Sequence, residues 1–261
     1  MTLRLRQICL AVPDLEPAVA LIRGAFGVEV CHRDDGVAKY GLVNALFVFG
    51  HQFVELVAPT RDDTTAGRFI ARSGGRGGYM AIFDSHDPER RSELAESLGV
   101  RIAHTMDYPG KFFGVQLHPR DCRATMLEFD RSVGNERLDG SYWPAGEHWH
   151  AQQDLGRVRG IRWVDVTAPD PQDLAAHWGR IADRPVTDDG NGHPSLRFDL
   201  GAARFLAGES ERLDTLHVDV DDAAAVTARA RSMGCVADAG GFLLGGVRFV
   251  LHEGAAVTVT S

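Results

Sequence analysis

The sequence predicts an α+β protein built from tandem βαβββ modules that pair into two half-barrel domains. Three observations predict it. A strand ending in Pro-Asp and followed by an amphipathic helix opens the chain at residues 6–15. Weaker copies of that opening begin at residues 79, 161 and 216, and internal repetition is a direct signature of a modular fold. The 261 residues, 44% of them hydrophobic, are enough to bury the cores of two domains.

Side chains alternate along a strand, so Ile8, Leu10 and Val12 point one way and Gln7, Cys9 and Ala11 the other. The bulky row suits the underside of a helix, and the small row suits the lining of a cup. Asp14 can cap the helix and Pro17 fits its first turn, while Val19, Leu21, Ile22 and Phe26 form its apolar face and Gly27 stops it. Strands are expected at 29–33, 37–49 (with a break near Asn44) and 51–57, then a surface connection over 60–78. The second module repeats the plan with a strand at 79–83, the cap Asp87-Pro88, a helix face on Leu94 and Leu98, and strands at 100–104, 112–117 and 125–129. The offset is near seventy residues and sets Gln7 opposite Gly78 and Glu55 opposite Glu128.

A third copy has a strand at 161–166, the cap Asp170-Pro171, a helix face on Leu174, Trp178 and Ile181, and strands at 196–199 and 203–206. The fourth has a strand at 216–220, a helix at 221–233 ended by Gly234, and strands at 242–244 and 247–252. The expected domains are therefore 1–130 and 158–261, joined by a linker at 131–157. That linker is irregular, with Gly134, Gly140, Pro144 and Gly146, and it carries Tyr142, Trp143, His148, Trp149 and His150. Its aromatics read as pins that hold the connector onto the domain interface, or as a flap over a pocket.

The net charge of −8 argues against nucleic acid and anionic membranes as partners. The four cysteines, Cys9, Cys31, Cys122 and Cys235, are scattered without a CxxC, as expected of reduced thiols in a cytoplasmic protein. No apolar run approaches a membrane span of about 20 residues.

The inward rows of two paired modules converge on one cup. In the first domain they bring together Gln7, Glu55, Gly78 and Glu128. Both glutamates sit inside apolar strands, where a lone carboxylate is costly unless paired, ligated or protonated. The competing reading leaves both at solvent-facing sheet ends. In the second domain the corresponding positions are Trp163, a small apolar residue near Leu206, Thr215 and Val250 or Leu251. Asp165, His217, Asp219 and His252 share the inward parity there and form an alternative site centred on His217 and Asp219.

Gln7-Ile8-Cys9-Leu10-Ala11-Val12-Pro13-Asp14-Leu15 resembles the opening strand of the vicinal oxygen chelate superfamily, which includes glyoxalase I, methylmalonyl-CoA epimerase, extradiol dioxygenases and bleomycin- and fosfomycin-resistance proteins. Glu55 in Val54-Glu55-Leu56-Val57-Ala58-Pro59 is similar to the family's fourth-strand ligand. His118-Pro119-Arg120-Asp121 followed by Thr125-Met126-Leu127-Glu128 resembles a segment of the epimerase-like branch. The resemblance is specific over residues 3–130. It implies a metal held by Gln7, Glu55 and Glu128, with His118 or His51 as further ligands, and Glu128 or Glu55 as the proton-transferring group. The family's second-module ligand falls at Gly78, or at Tyr79 after a slip of one, and glycine cannot ligate. An all-oxygen set favours Mg²⁺ or Mn²⁺, with Fe²⁺ or Zn²⁺ as alternatives, or no metal where the cup has lost it.

Three functions follow. The first is metal-assisted isomerase, epimerase or lyase chemistry on a small oxygenated substrate. The second is a metal-free binding or resistance protein whose cup is walled by Cys9, Phe53, Phe112, Trp143 and Trp149, with Tyr108 and Phe113 also available. The third is a ring-cleaving dioxygenase using Fe²⁺. The partner in each case is a small molecule, and exposed edge strands allow a homodimer.

Overall fold

The computed structural model describes residues 2–238 and 240–254. Strand β1 (Leu3–Ala11), helix α1 (Leu15–Phe26), β2 (Val30–His32), β3 (Leu42–Phe49) and β4 (Gln52–Pro59) make the first module. Helix α2 (Thr65–Ser73) leads to β5 (Met80–Ser85), α3 (Pro88–Ser97), β6 (Ile102–Tyr108), β7 (Phe112–Leu117), the single-turn α4 (Pro119–Cys122) and β8 (Met126–Ser132). After the linker come β9 (Val158–Ala168), α5 (Pro171–Ala182), β10 (Val186–Asp188), β11 (Pro194–Arg197) and β12 (Ala202–Ala207). The fourth module is β13 (Arg212–Val220), α6 (Ala223–Ser232), β14 (Ala237–Asp238), β15 (Gly241–Leu244) and β16 (Val247–Glu253).

Two eight-stranded sheets result, ordered β2-β3-β4-β1-β5-β8-β7-β6 and β10-β11-β12-β9-β13-β16-β15-β14. In each, the first strands of two modules lie antiparallel at the centre and each pairs in parallel with the last strand of its own module. This is the α+β pairing of βαβββ units that the repeats predict. Helices α1, α3, α5 and α6 lie between the sheets, α1 against α6 and α3 against α5, whereas α2 packs on the opposite face of the first sheet with Cys9 and Ala11. Ile8, Leu10 and Val12 join one continuous apolar core with residues of both halves. Phe26 sits at its middle, with its ring centroid 4.9 Å from Phe49, 5.6 Å from Phe242 and 5.7 Å from Phe249.

Polar bonds fasten the halves as well. Leu5 N–H donates to the Leu200 carbonyl and Asp199 N–H to that of Leu3, both at 2.9 Å. Gln52, almost fully buried, donates to the carbonyls of Leu5 (3.1 Å) and Ile161 (3.0 Å) and accepts from Ile161 N–H at 2.7 Å. A buried amide with both ends satisfied costs little and fixes the register of its neighbours.

Several local expectations are corrected. Residues 35–40 form a 3₁₀ turn rather than strand, because the Asp34 side chain accepts from Gly36 N–H and Gly41 closes the turn at a φ of 72°. Asn44 does not break β3; its side chain turns inward. The connection at 60–78 contains α2, capped by Thr64 onto Gly67 N–H. The short edge strands β10 and β14 are polar at their outer ends and carry no periodic apolar signal. Among the described residues no helix is long and apolar enough to cross a membrane.

Candidate functional site

The first sheet curls around a cup lined by the small row of β1. Gln7, Cys9 and Ala11 all face it, and Cys9 and Ala11 pack there with Met80, Ile82 and Met126. The parallel registers fix the internal symmetry. Gln7 pairs with Phe53 and Cys9 with Glu55, while Met80 pairs with Met126 and Ile82 with Glu128. The two modules are thus offset by 73 residues, and the counterpart of Gln7 is Met80, not Gly78 or Tyr79. Gly78 instead lies on the seam between the halves. Its N–H donates to the Leu213 carbonyl at 2.8 Å, and a Cβ there would meet the Leu213 side chain at 2.8 Å.

Glu55 and Glu128 occupy equivalent positions and both are buried. Glu55 accepts from Asn44 Nδ2 at 2.7 Å and from Gln7 Nε2 at 2.8 Å. Gln7 Oε1 in turn accepts from the Tyr142 hydroxyl at 3.0 Å. Glu128 accepts from Gln116 Nε2 at 2.7 Å, and Asp130 lies two residues further along the same face of β8, buried, with its carboxyl facing that of Glu128. Burial raises all three carboxyls. Hydrogen bonds from Asn44, Cys9 and Gln7 oppose the shift at Glu55. Glu128 is pushed up to about 7. Asp130 goes well above the usual carboxylate range, because the charge of Glu128 adds to burial. The cup therefore holds at least one exchangeable carboxyl proton near neutral pH. The Cys9 thiol is also pushed up, by burial and then by Glu55, so it is not a thiolate nucleophile.

The sequence does not assign Asn44, Gln116, Asp130 or Tyr142 to the cup. The first three follow from strand parity once the register is known. Tyr142 does not, because a linker has no period.

The donor set does not fit a resident metal ion. Each Glu55 oxygen already takes an amide N–H, the Gln7 oxygen takes the Tyr142 hydroxyl, and the fourth position is the thioether of Met80. A thioether is a poor partner for the oxygen-preferring Mg²⁺ and Mn²⁺. Among the described residues no three His, Cys, Asp or Glu side chains converge as a metal-holding group. His118 and His51 lie outside the cup. His118 caps α4, its Nδ1 accepting from Arg120 N–H at 3.3 Å. His51 sits in the β3–β4 turn, 3.4 Å from Gln153 Nε2.

The linker plugs one end of the cup. Arg4 donates to the carbonyls of Asn135 (2.8 Å) and Glu136 (3.0 Å), and Arg6 to that of Leu138 (2.8 Å). Tyr142 then stacks on Phe53 at 4.8 Å, and Trp149 meets the same ring edge-on at 5.3 Å. Arg6 lies 5.2 to 5.7 Å from the centroids of all three rings. Phe53 and Trp149 are consequently interior to the plug and offer no wall to a substrate. Trp143 is only half-buried and stacks on Tyr108 (4.8 Å) and Phe112 (5.2 Å). At the opposite lip the Tyr40 hydroxyl lies 2.8 Å from His104 Nε2, bridging the two modules across the mouth.

The second cup carries different groups. Trp163, Thr215 and Val250 stand at the expected positions, but the fourth is Arg204 rather than a small apolar residue near Leu206. Arg204 donates to both oxygens of Asp165 at 2.8 and 2.9 Å. His217 Nε2 lies 2.8 Å from Asp165 Oδ2, and His217 Nδ1 lies 2.9 Å from His252 Nε2. Asp219 is not part of this chain; it pairs with Arg162. Burial opposes the charge of Asp165, but the bonds from His217 and Arg204 outweigh it and hold the carboxyl below its ordinary value. Both Asp165 oxygens are engaged, so the group does not match an iron-binding pair of histidines and a free carboxylate.

The chain is similar to several known proteins. The ethylmalonyl-CoA/methylmalonyl-CoA epimerase of Cereibacter sphaeroides is 23% identical over 131 residues, 49% of this chain and 97% of that protein. A structure of Streptomyces coelicolor methylmalonyl-CoA epimerase in complex with 2-nitronate-propionyl-CoA is 25% identical, with a TM-score of 0.45, covering 50% of this chain and 97% of its own. The Mn(II)-bound glyoxalase from Novosphingobium aromaticivorans shares the fold over both halves, with a TM-score of 0.66 at 18% identity and coverage of 96% and 81%. Residues 8–182 match the Glyoxalase-like domain family, a span that runs through the first cup and the linker into α5. The chain belongs to that family, and so to the vicinal oxygen chelate superfamily.

Proposed function

We propose that the first cup catalyses proton transfer at a carbon next to a carbonyl, using carboxyl groups rather than a metal. The observation that carries this reading is the pair Glu55 and Glu128, set at equivalent positions of the two modules and facing one buried cup. Carboxyls approaching from opposite sides suit epimerisation or isomerisation. An ionised carboxylate removes the proton from one face of the carbon, and a protonated carboxyl returns one to the other face. Glu55, raised by burial but with hydrogen bonds from Asn44, Cys9 and Gln7 opposing that rise, suits the first role. Glu128, pushed up to about 7, suits the second. The amide groups of Gln7, Asn44 and Gln116 orient the carboxyls, and Gln7 itself is fixed by Tyr142. Access requires the lips at Tyr40 and His104 to part.

Methylmalonyl-CoA is the first substrate to test, given the name of the Cereibacter relative. Exchange of its α-proton with deuterated solvent is read by NMR. Glu128→Gln and Glu55→Gln each lower the exchange rate by about 100-fold or more, and chelator-treated protein keeps its rate. Exchange that survives both substitutions, or that vanishes on chelation and returns with metal, contradicts the reading.

The half-exposed Trp143 stack favours a second reading, a binding protein of this cup without turnover. Saturable quenching of tryptophan fluorescence by an aromatic ligand, lost in Trp143→Phe, distinguishes it.

A further inference from the structure

A cavity of about 760 Å³ lies over the second sheet, walled by Trp163, Arg159, Arg197, Arg204 and the linker residues Leu138 and Leu155. That volume is within the range of small-molecule sites.

The charges around it are unevenly committed. Asp219 is paired with Arg162, and Asp199 takes the Leu3 N–H (2.7 Å) and Arg184 (3.1 Å). Asp189 accepts the N–H groups of Asn191 (2.8 Å) and His193 (3.1 Å). Arg204 is bound to Asp165. Two arginines remain. Arg159 gives only one Nη group, to the Val220 carbonyl, and its Nε has no acceptor among the described residues. Arg197 is exposed and has no side-chain partner among the described residues. The cavity therefore presents spare N–H donors and positive charge, with its carboxylates already engaged.

The sheet register gives the ligand a shape. Arg197 pairs with Ala202, whose side chain is a single methyl, and Ala202 lies on β12 beside Trp163 of β9. Strands are spaced about 4.8 Å apart, so Arg197 and Trp163 stand roughly 10 Å from each other with only that methyl between them. The Trp163 ring is held in place, stacked on His217 at 4.4 Å with the Arg204 guanidinium 5.3 Å from its centroid. We propose that the second cup is a binding site for a small planar oxyanion, its carboxylate or phosphate on Arg197 and its flat body over Ala202 against Trp163. This site is separate from the first cup and does not depend on the chemistry proposed there.

The test uses the full chain and the indole N–H signal of Trp163, identified by its loss in Trp163→Phe. Benzoate and phenyl phosphate are titrated in parallel, with neutral benzamide as the isosteric control. The proposal expects a saturable shift with at least one anion and none with benzamide at the same concentration. The tighter anion shows whether a carboxylate or a phosphate is the natural group. Arg197→Gln weakens binding by about 10-fold or more, and Ala202→Phe, which fills the seat, abolishes it. No saturable shift with either anion, equal binding of benzamide, or unchanged affinity in Arg197→Gln overturns the proposal.

Discussion

The two cups are built on the same strand order, yet they treat buried carboxyls in opposite ways. In the first, Glu55 and Glu128 meet neutral amides, and burial raises them toward the protonated form. In the second, Asp165 is buried too, but Arg204 and His217 hold it ionised. The difference lies in the residue offered across the strand pair: Cys9 opposite Glu55, against Asp165 opposite Arg204. An amide donor satisfies a carboxylate's lone pairs without neutralising its charge, whereas a guanidinium does both. The cups also differ in what fills them. Tyr142 and Trp149 plug one end of the first, while the second stays open over about 760 Å³. One scaffold thus yields a proton-holding pocket and an anion-facing one.

Substitutions that break the contrast rank by expected effect. Trp149→Ala empties the plug of its largest side chain and costs about 3–5 kcal/mol in denaturant unfolding. The next effect is a pH dependence. Because Glu128 is raised from 4.5 to about 7, its contribution is fully present below pH 4.5 and is lost as the pH rises to about 7. That loss is on the order of 3 kcal/mol. In Glu128→Gln stability is correspondingly flatter between pH 4.5 and 7. Asp165 has the opposite sign. Its folded value lies below 3.8, so its contribution is present above that pH and fades as the pH falls further. Arg204→Gln leaves the Asp165 charge supported by His217 alone and costs about 2 kcal/mol, less than a fully buried pair because Arg204 is partly exposed. Gly78→Ala costs about 1–3 kcal/mol by forcing Leu213 aside on the seam. The smallest effect is Met80→Leu, under about 1.5 kcal/mol, as expected of a packing residue.

Much of the fold was legible because its signals are local and periodic. Asp87 caps α3 and Asp170 caps α5 through the side-chain bonds their sequence positions imply, and the row Ile8, Leu10, Val12 faces the core. Glu55 and Glu128 were legible as carboxylates inside apolar strands. The partner of Gln7 was not. A shift of two residues preserves strand parity, so hydrophobic alternation cannot separate Gly78 from Met80; only the ladder registers do. Arg204 was missed for the same reason, since it stands two residues from Leu206 on the same face of β12. The linker was illegible in a different sense. Its aromatics were visible, but the carbonyl contacts with Arg4 and Arg6 that lay Tyr142 into the cup join residues more than 130 apart.

Carboxyl ¹³C NMR across a pH titration measures the protonation contrast between the cups directly. The expected result is that Glu128 titrates near pH 7, that Asp130→Asn shifts it, and that Asp165 stays ionised down to below 3.8. A Glu128 carboxyl that titrates at its ordinary value of 4.5, unaffected by Asp130→Asn, would contradict it.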